Sequence, residues 1–346
     1  MMALIDIVRI SVLSFISMFG VRRKYPARSW STELTFRLAK RLLRESVGKP
    51  ISWLRARQNL LTLFSPALLN VTKTKTVIAG VKCSRLVPKS VADPTTVIVY
   101  LHGGGYVVGS PAYYNLTMAK IALASKACVI GVDYRLAPEH ALPAAQDDCL
   151  AVTKALLASS SNQGDEQLKN KKIILMGDSA GAALCLSVIK RLSKEVIATS
   201  SSRNKVDACV LISPWLAAMD QTKLELAHEE SDMLDRVILK HWTETILKDK
   251  SILTDKAQQA EHLDFTEMDV SVLPPVYIQS AGAEVFNQQV LTFAERLKLA
   301  KVDYKHDVFD QQFHVFQTLS PLVREANNAI LKIGTFVKSV RGKGST

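Results

Sequence analysis

The segment Gly177-Asp178-Ser179-Ala180-Gly181 constrains this chain most, because of what flanks it. The apolar run Ile173-Ile174-Leu175 precedes it and the helix-forming run Ala182-Ala183-Leu184 follows. A G-x-S-x-G segment between a strand and a helix makes a sharp turn that holds its serine in a strained conformation at the sheet edge. Small flanking residues allow that turn, and the helix N-terminus behind the serine favours negative charge developing there. Ser179 is therefore the candidate nucleophile. Taken alone, the segment would also fit an ordinary glycine-flanked helix start.

A second segment removes most of that ambiguity. His102-Gly103-Gly104-Gly105 follows the β-branched run Val97 to Leu101. Acyl transfer passes through a tetrahedral oxyanion, which needs preorganised N–H donors, and glycines leave a backbone free to approach a substrate. The expected donors are the amides of Gly104, Gly105 and Ala180, with His102, Gly103 and Asp178 as supporting residues. A phosphate-cradling loop is the competing reading, but the Lys-Ser/Thr ending of such a loop is missing.

A serine needs a base, and the base needs a carboxylate to orient it. In hydrolases built on this turn the chain order is Ser, acid, His. After Ser179 come His228, His241, His262, His306 and His314. The first three fall in an insertion and His306 sits inside a predicted strand. His314 lies in the loop after that strand, where catalytic groups are usually placed. Glu284, just after the predicted strand Val276 to Ser280, is the candidate acid. Asp303, Asp307 and Asp310 are its rivals.

Around these segments the pattern alternates. Residues 1 to about 70 read as helical, with three- and four-residue apolar spacing from Glu33 to Leu43. Strands are predicted at Thr74–Ile78, Val81–Val87, Thr96–Leu101, Ala127–Asp133, Lys172–Met176, Val206–Ile212, Val276–Ser280 and Tyr304–Phe309. Helices are predicted at Pro143–Leu157, from Ser179 to about Leu192, at Asn287–Leu299, and at the end to about Val340. A polar loop is expected over Ser159–Asn170, and a helical insertion between Trp215 and Pro274. Such alternation predicts an α/β fold with a mostly parallel sheet covered on both faces.

The formal net charge is +12. The basic residues are spread along the chain without a nucleic-acid-binding signature, so a solvated basic surface is expected and nucleic acid is not an expected partner. Five cysteines, none in C-x-x-C spacing, fit buried free thiols in a reducing compartment such as the cytoplasm. The apolar stretch Ala3 to Phe19 is interrupted by Asp6 and Arg9 and followed by Arg22, Arg23, Lys24 and Arg28. Those two charges argue against a spanning segment. An amphipathic helix that covers a pocket or rests peripherally on a membrane fits better.

These segments resemble the hormone-sensitive-lipase group of esterases, the α/β-hydrolase fold-3 family, from about Val97 to Phe316. The stretch from Asp133-Tyr134-Arg135 to Glu139-His140 and Ser213-Pro214-Trp215 share in the likeness. The resemblance implies a catalytic domain over 71–346 and a helical cap built from residues 1–70 and an insertion at about 216–272. It implies a Ser179–Glu284–His314 triad acting on short- to medium-chain acyl esters, with no metal and no cofactor. It gives the Asp133–His140 stretch a structural role beneath the site. The family usually carries Asp-x-Leu-x-Asp at the acid, whereas this chain has Glu284-Val285-Phe286-Asn287-Gln288. The acid is one methylene longer and Gln288 replaces the second carboxylate, so the contacts around His314 are expected to differ. The same chemistry on a sterol acetate, lactone or arylacetamide is the first alternative. A ligand receptor of this fold is the second, and it would lack the histidine that His314 supplies.

Overall fold

The computed structural model describes residues 2–18, 25–26, 28–61, 68, 70–91, 95–160, 171–199, 205–248, 255–320 and 323–342. The basic residues Arg22, Arg23 and Lys24, Phe19 at the end of the apolar stretch, and residues 161–170 of the predicted polar loop lie outside these.

Eight strands form one sheet in the order β1-β2-β4-β3-β5-β6-β7-β8. The hairpin β1 (Val71–Ile78) and β2 (Val81–Pro88) is antiparallel, and β2 also runs antiparallel to its other neighbour. Ala79 and Gly80 close it with φ of 50° and 80°, the left-handed pair that a tight hairpin with right-handed twist requires. The remaining strands, β3 (Thr96–Leu101), β4 (Cys128–Val132), β5 (Lys172–Asp178), β6 (Ala208–Ile212), β7 (Val276–Ala281) and β8 (Tyr304–Phe309), pair in parallel. Every residue of β3, β4, β6 and β7 is buried, as expected where helices cover both faces of a parallel sheet.

Side chains along β3 divide the core. Val97, Val99 and Leu101 join one cluster with α5 (Ala144–Ser160), α6 (Ala180–Thr199) and α9 (Asn287–Leu299). Ile98 and Tyr100 face the other way, against α4 (Asn115–Ser125) and α10 (Arg324–Gly342). All five cysteines are buried and free, including Cys83 on β2. Helix α4 has no counterpart in the sequence reading. Met118, Ala119, Ile121 and Ala122 are buried along with the polar Asn115, Thr117 and Ser125. A helix enclosed on most sides carries no amphipathic stripe to detect.

Because the strands from β3 to β8 run parallel, their carboxyl ends lie along one edge, where ligand sites of open α/β sheets form. The chain leaves β3 into His102, β5 into Ser179, β6 into Ser213, β7 towards Glu284 and β8 towards His314.

Over that edge pack α2 (Trp30–Ser46), α3 (Ile51–Leu61) and, from the insertion, α7 (Arg236–Ile246); α1 (Met2–Ile16) packs on α2 and α3, and α8 (Lys256–Leu263) lies against α5 and α6. Asp6 pairs with Arg57 of α3, and Arg9 with Glu45 of α2. Arg28, fully buried, holds the N-terminal segment to the site edge. Its guanidinium lies against the rings of Tyr25, Phe36 and Phe313. Its Nε donates to Gln311 O at 2.5 Å and its Nη2 to Ser231 O at 2.7 Å. Substituting Arg28 with Met keeps bulk but strands both buried carbonyls, so a loss of about 2 kcal/mol or more is expected in urea unfolding. An unchanged unfolding midpoint would show that the segment is held by apolar contact alone.

Candidate active site

Ser179 has φ of 52° and is 4% exposed. It takes this strained conformation because α6 starts immediately after β5 and packs back on the neighbouring strand. A Cβ on Gly181 would overlap the carbonyl oxygens of Leu101 and His102, so only glycine lets the serine turn touch the loop leaving β3. The Ser179 N–H donates to Ile212 O at 2.9 Å, and its carbonyl accepts from Trp215 N at 3.2 Å. The Ser213-Pro214-Trp215 segment thus braces the turn from its other side. Ser213 also meets the opposite loop, its Oγ accepting from Val315 N at 3.4 Å.

The loop after β3 is tied to the serine turn by Asp178. This buried carboxylate accepts from Tyr100 OH at 2.7 Å, Tyr114 OH at 2.9 Å and Gly103 N at 3.1 Å. Burial pushes its pKa up to about 6, with the two tyrosine hydroxyls pulling it down. Gly103 is thereby committed to Asp178. Gly104 and Gly105 follow with φ of 111° and 58°, and their N–H groups meet no acceptor among the described residues. A Cβ on Gly104 would overlap Val108, and one on Gly105 the indole of Trp242. His102 is a packing residue. Its ring stacks on Tyr134 at 4.2 Å and its Nδ1 lies 2.8 Å from Gly103 O. Burial pushes it down to about 4, so it stays neutral.

Across the cavity stands His314, 1% exposed. Its Nδ1 lies 2.9 Å from Glu284 Oε2, and Glu284 Oε1 accepts from Ala281 N at 3.0 Å. Both glutamate oxygens are therefore used within the fold. The rivals lie elsewhere: Asp307 accepts from Tyr277 OH at 2.7 Å and pairs with Lys332 at 3.2 Å, and Asp310 sits beside Gly282. His306 meets Ser280 Oγ at 2.7 Å, and His262 lies 2.6 Å from Gln146 Oε1. His314 Nε2 is buried without a hydrogen-bond partner. It faces the cavity that Ser179 and Gly104 also line, closed over by Leu42 and Leu43 of α2, Leu54 of α3 and Trp242 of α7. That cavity holds about 90 Å³.

The sequence reading missed one carboxylate. Asp232, fully buried, accepts from His314 N at 2.9 Å and from Val285 N at 2.8 Å. It bridges the backbones of the His314 and Glu284 loops. Burial pushes its pKa up to about 6, partly countered by the nearby His314. Gln288, at the position of the family's second acid, is exposed on α9. No sequence signal marked Asp232, since the acid at the helix start in the insertion is Asp235. No group of three or more His, Cys, Asp or Glu able to hold a metal ion occurs among the described residues.

Residues 98–318 match the alpha/beta hydrolase fold family. A carboxylesterase/phospholipase of Mycobacterium tuberculosis is 30% identical over 253 residues, 72% of this chain, and the match spans 63% of that protein's own length. An acetyl-hydrolase of Streptomyces hygroscopicus is 27% identical, covering 71% of this chain and 77% of its own. Among solved structures, an esterase from the bacterial hormone-sensitive lipase family has a TM-score of 0.73 at 27% identity, covering 90% of this chain and 99% of its own. A hormone-sensitive-lipase homologue from a metagenome library reaches 0.74 at 25% identity, covering 91% and 99%.

Replacing Asp178 with Asn offers three donors one acceptor oxygen and turns an NH2 towards at least one of them. A stability loss of about 1–3 kcal/mol is expected at neutral pH. The carboxyl's pKa rises from 3.8 to about 6 on folding, so the part of its contribution that comes from this shift is fully present below 3.8 and is lost as pH rises through about 6, leaving the hydrogen-bond part at neutral pH. Asn does not titrate. The wild type's advantage therefore narrows between those values, which denaturant melts at the two ends will show.

Proposed function

This chain belongs to the alpha/beta hydrolase fold family, in its hormone-sensitive-lipase-like group, and on that premise we propose that it hydrolyses carboxylic esters through an acyl-enzyme on Ser179. One observation carries the proposal: the His314 ring is fixed by Glu284 at Nδ1 while its Nε2 stays unpaired on the cavity that Ser179 lines. The carboxylate behind the ring orients it, and Nε2 is left free for a serine proton.

In the proposed cycle Ser179 Oγ attacks the ester carbonyl carbon and its proton passes to His314 Nε2. The carbonyl oxygen becomes an oxyanion facing the N–H groups of Gly104, Gly105 and Ala180. Collapse of the tetrahedral species expels the alcohol, which leaves with the proton from His314. Water then repeats the sequence on the acyl-serine, releasing the carboxylic acid. Glu284 stabilises the imidazolium in both halves, and Asp232 positions the two loops. Side chains and water complete the atom balance without metal or cofactor.

The small, apolar cavity beneath α2, α3 and α7 favours short acyl groups. The acetyl-hydrolase among the similar proteins agrees with that class, and the carboxylesterase/phospholipase agrees with ester hydrolysis in general. Turnover of nitrophenyl esters should be highest from acetate to butyrate and fall for longer chains, and a maximum at long chains would refute the short-acyl assignment.

Ser179→Ala should cut nitrophenyl acetate turnover by about 10⁴- to 10⁶-fold with the fold intact. A fluorophosphonate should label the wild type once, and labelling that persists in the variant would remove Ser179 from the mechanism. Glu284→Gln should cost on the order of 10⁴-fold, and Asp307→Asn, which faces Tyr277 and Lys332, should stay close to wild type. The reverse pattern would transfer the acid's role to Asp307.

A further inference from the structure

Helix α1 is apolar on its solvent side as well as on its buried side. Leu4, Ile5, Val8, Val12 and Ile16 are 57%, 57%, 54%, 51% and 57% exposed. At 3.6 residues per turn these positions share one face, an arc of about 120°. The charged residues of the helix instead reach sideways and inward, Asp6 to Arg57 and Arg9 to Glu45. A water-facing helix shows the reverse, and a contiguous exposed apolar patch marks a surface that meets something apolar.

Beside this face runs a groove of about 790 Å³ between α1 and α2, lined by Arg37, Lys40, Arg41 and Arg44 against the single carboxylate of Glu45. Arg37 and Arg44 hold ion pairs at its margins, with Glu33 and Asp235. Ser14 Oγ and Arg41 Nη1, both on residues of the groove wall, are buried donors without a partner. An apolar face and a cationic groove bordering one helix have the order of a phospholipid: acyl chains, then phosphate.

We propose that α1 docks in the plane of an anionic lipid bilayer, its apolar face among the acyl chains and a headgroup phosphate in the groove beside Arg41. No helix among the described residues is long and apolar enough to cross a membrane, so the contact is interfacial. The whole chain's charge of +12 adds attraction to an anionic surface. Because α2 and α3 pack on α1 and also line the cavity, docking brings the cavity roof next to the lipid. The proposal stands apart from the hydrolase assignment, since partition and turnover are separate readouts.

The test is flotation of the full chain with vesicles of phosphatidylcholine, alone or mixed with phosphatidylglycerol. The wild type should float with the mixed vesicles and weakly or not at all with phosphatidylcholine. Val8→Glu with Val12→Glu should lower the bound fraction by about tenfold or more, with nitrophenyl acetate turnover and the thermal melt unchanged. Arg41→Gln should lower binding to the anionic vesicles several-fold and leave any binding to phosphatidylcholine as it was. A wild type that stays in solution with anionic vesicles overturns the proposal, as does a double variant that floats normally. Light scattering that shows a dimer, split by the double variant and indifferent to vesicles, assigns the face to a second copy of the chain and also overturns it.

Discussion

The site depends on one close approach: the N-terminus of α6 lies against the end of β3 because Gly181 has no side chain. That contact brings a strained serine and an amide-bearing loop, far apart in sequence, to a fixed spacing. Asp178 then secures it from beneath by accepting from both sides of the junction. Preorganisation of this kind has to be supplied by the fold, because donors that reorient during a reaction return part of what they contribute. The tyrosines, the glycines and the buried carboxylate serve that single spacing.

A second layer holds the opposite half. Glu284 reaches His314 from the turn after β7, with its second oxygen on Ala281 N. Asp232 enters from the insertion and fastens the backbone on both loops. Where the family usually places a second acid on the strand-to-helix turn, this chain draws a carboxylate from a different element.

That Ser179, Gly104 and His314 would meet at one cavity was legible in the sequence because the signals are local: glycines at fixed offsets, a strand before and a helix after, a histidine in a strand-end loop. Asp232 was not legible, since its partner His314 is 82 residues away and no short spacing links them. Helix α4 was missed for the opposite reason, being enclosed too evenly to leave a periodic mark. Asp6 and Arg9 were legible as interruptions of an apolar run. That Arg57 and Glu45 answer them, so that the apolar face turns outward, is tertiary information.

Arg28 carries a consequence for how the protein is made. Its acceptors include Gln311 O, 283 residues further along, and the neighbouring Ser29 N and Thr32 Oγ1 donate to Glu325 on α10. The segment that leaves the ribosome early is therefore completed by one that leaves late. Domains generally fold from the N-terminal side during synthesis, but the Arg28 guanidinium and the start of α2 meet these particular partners only once residues 311 and 325 have emerged. Docking of the Arg28 segment and assembly of the His314 loop then belong to the same late stage. A nascent chain stalled before that point would hold the serine turn without the loop that faces it across the cavity.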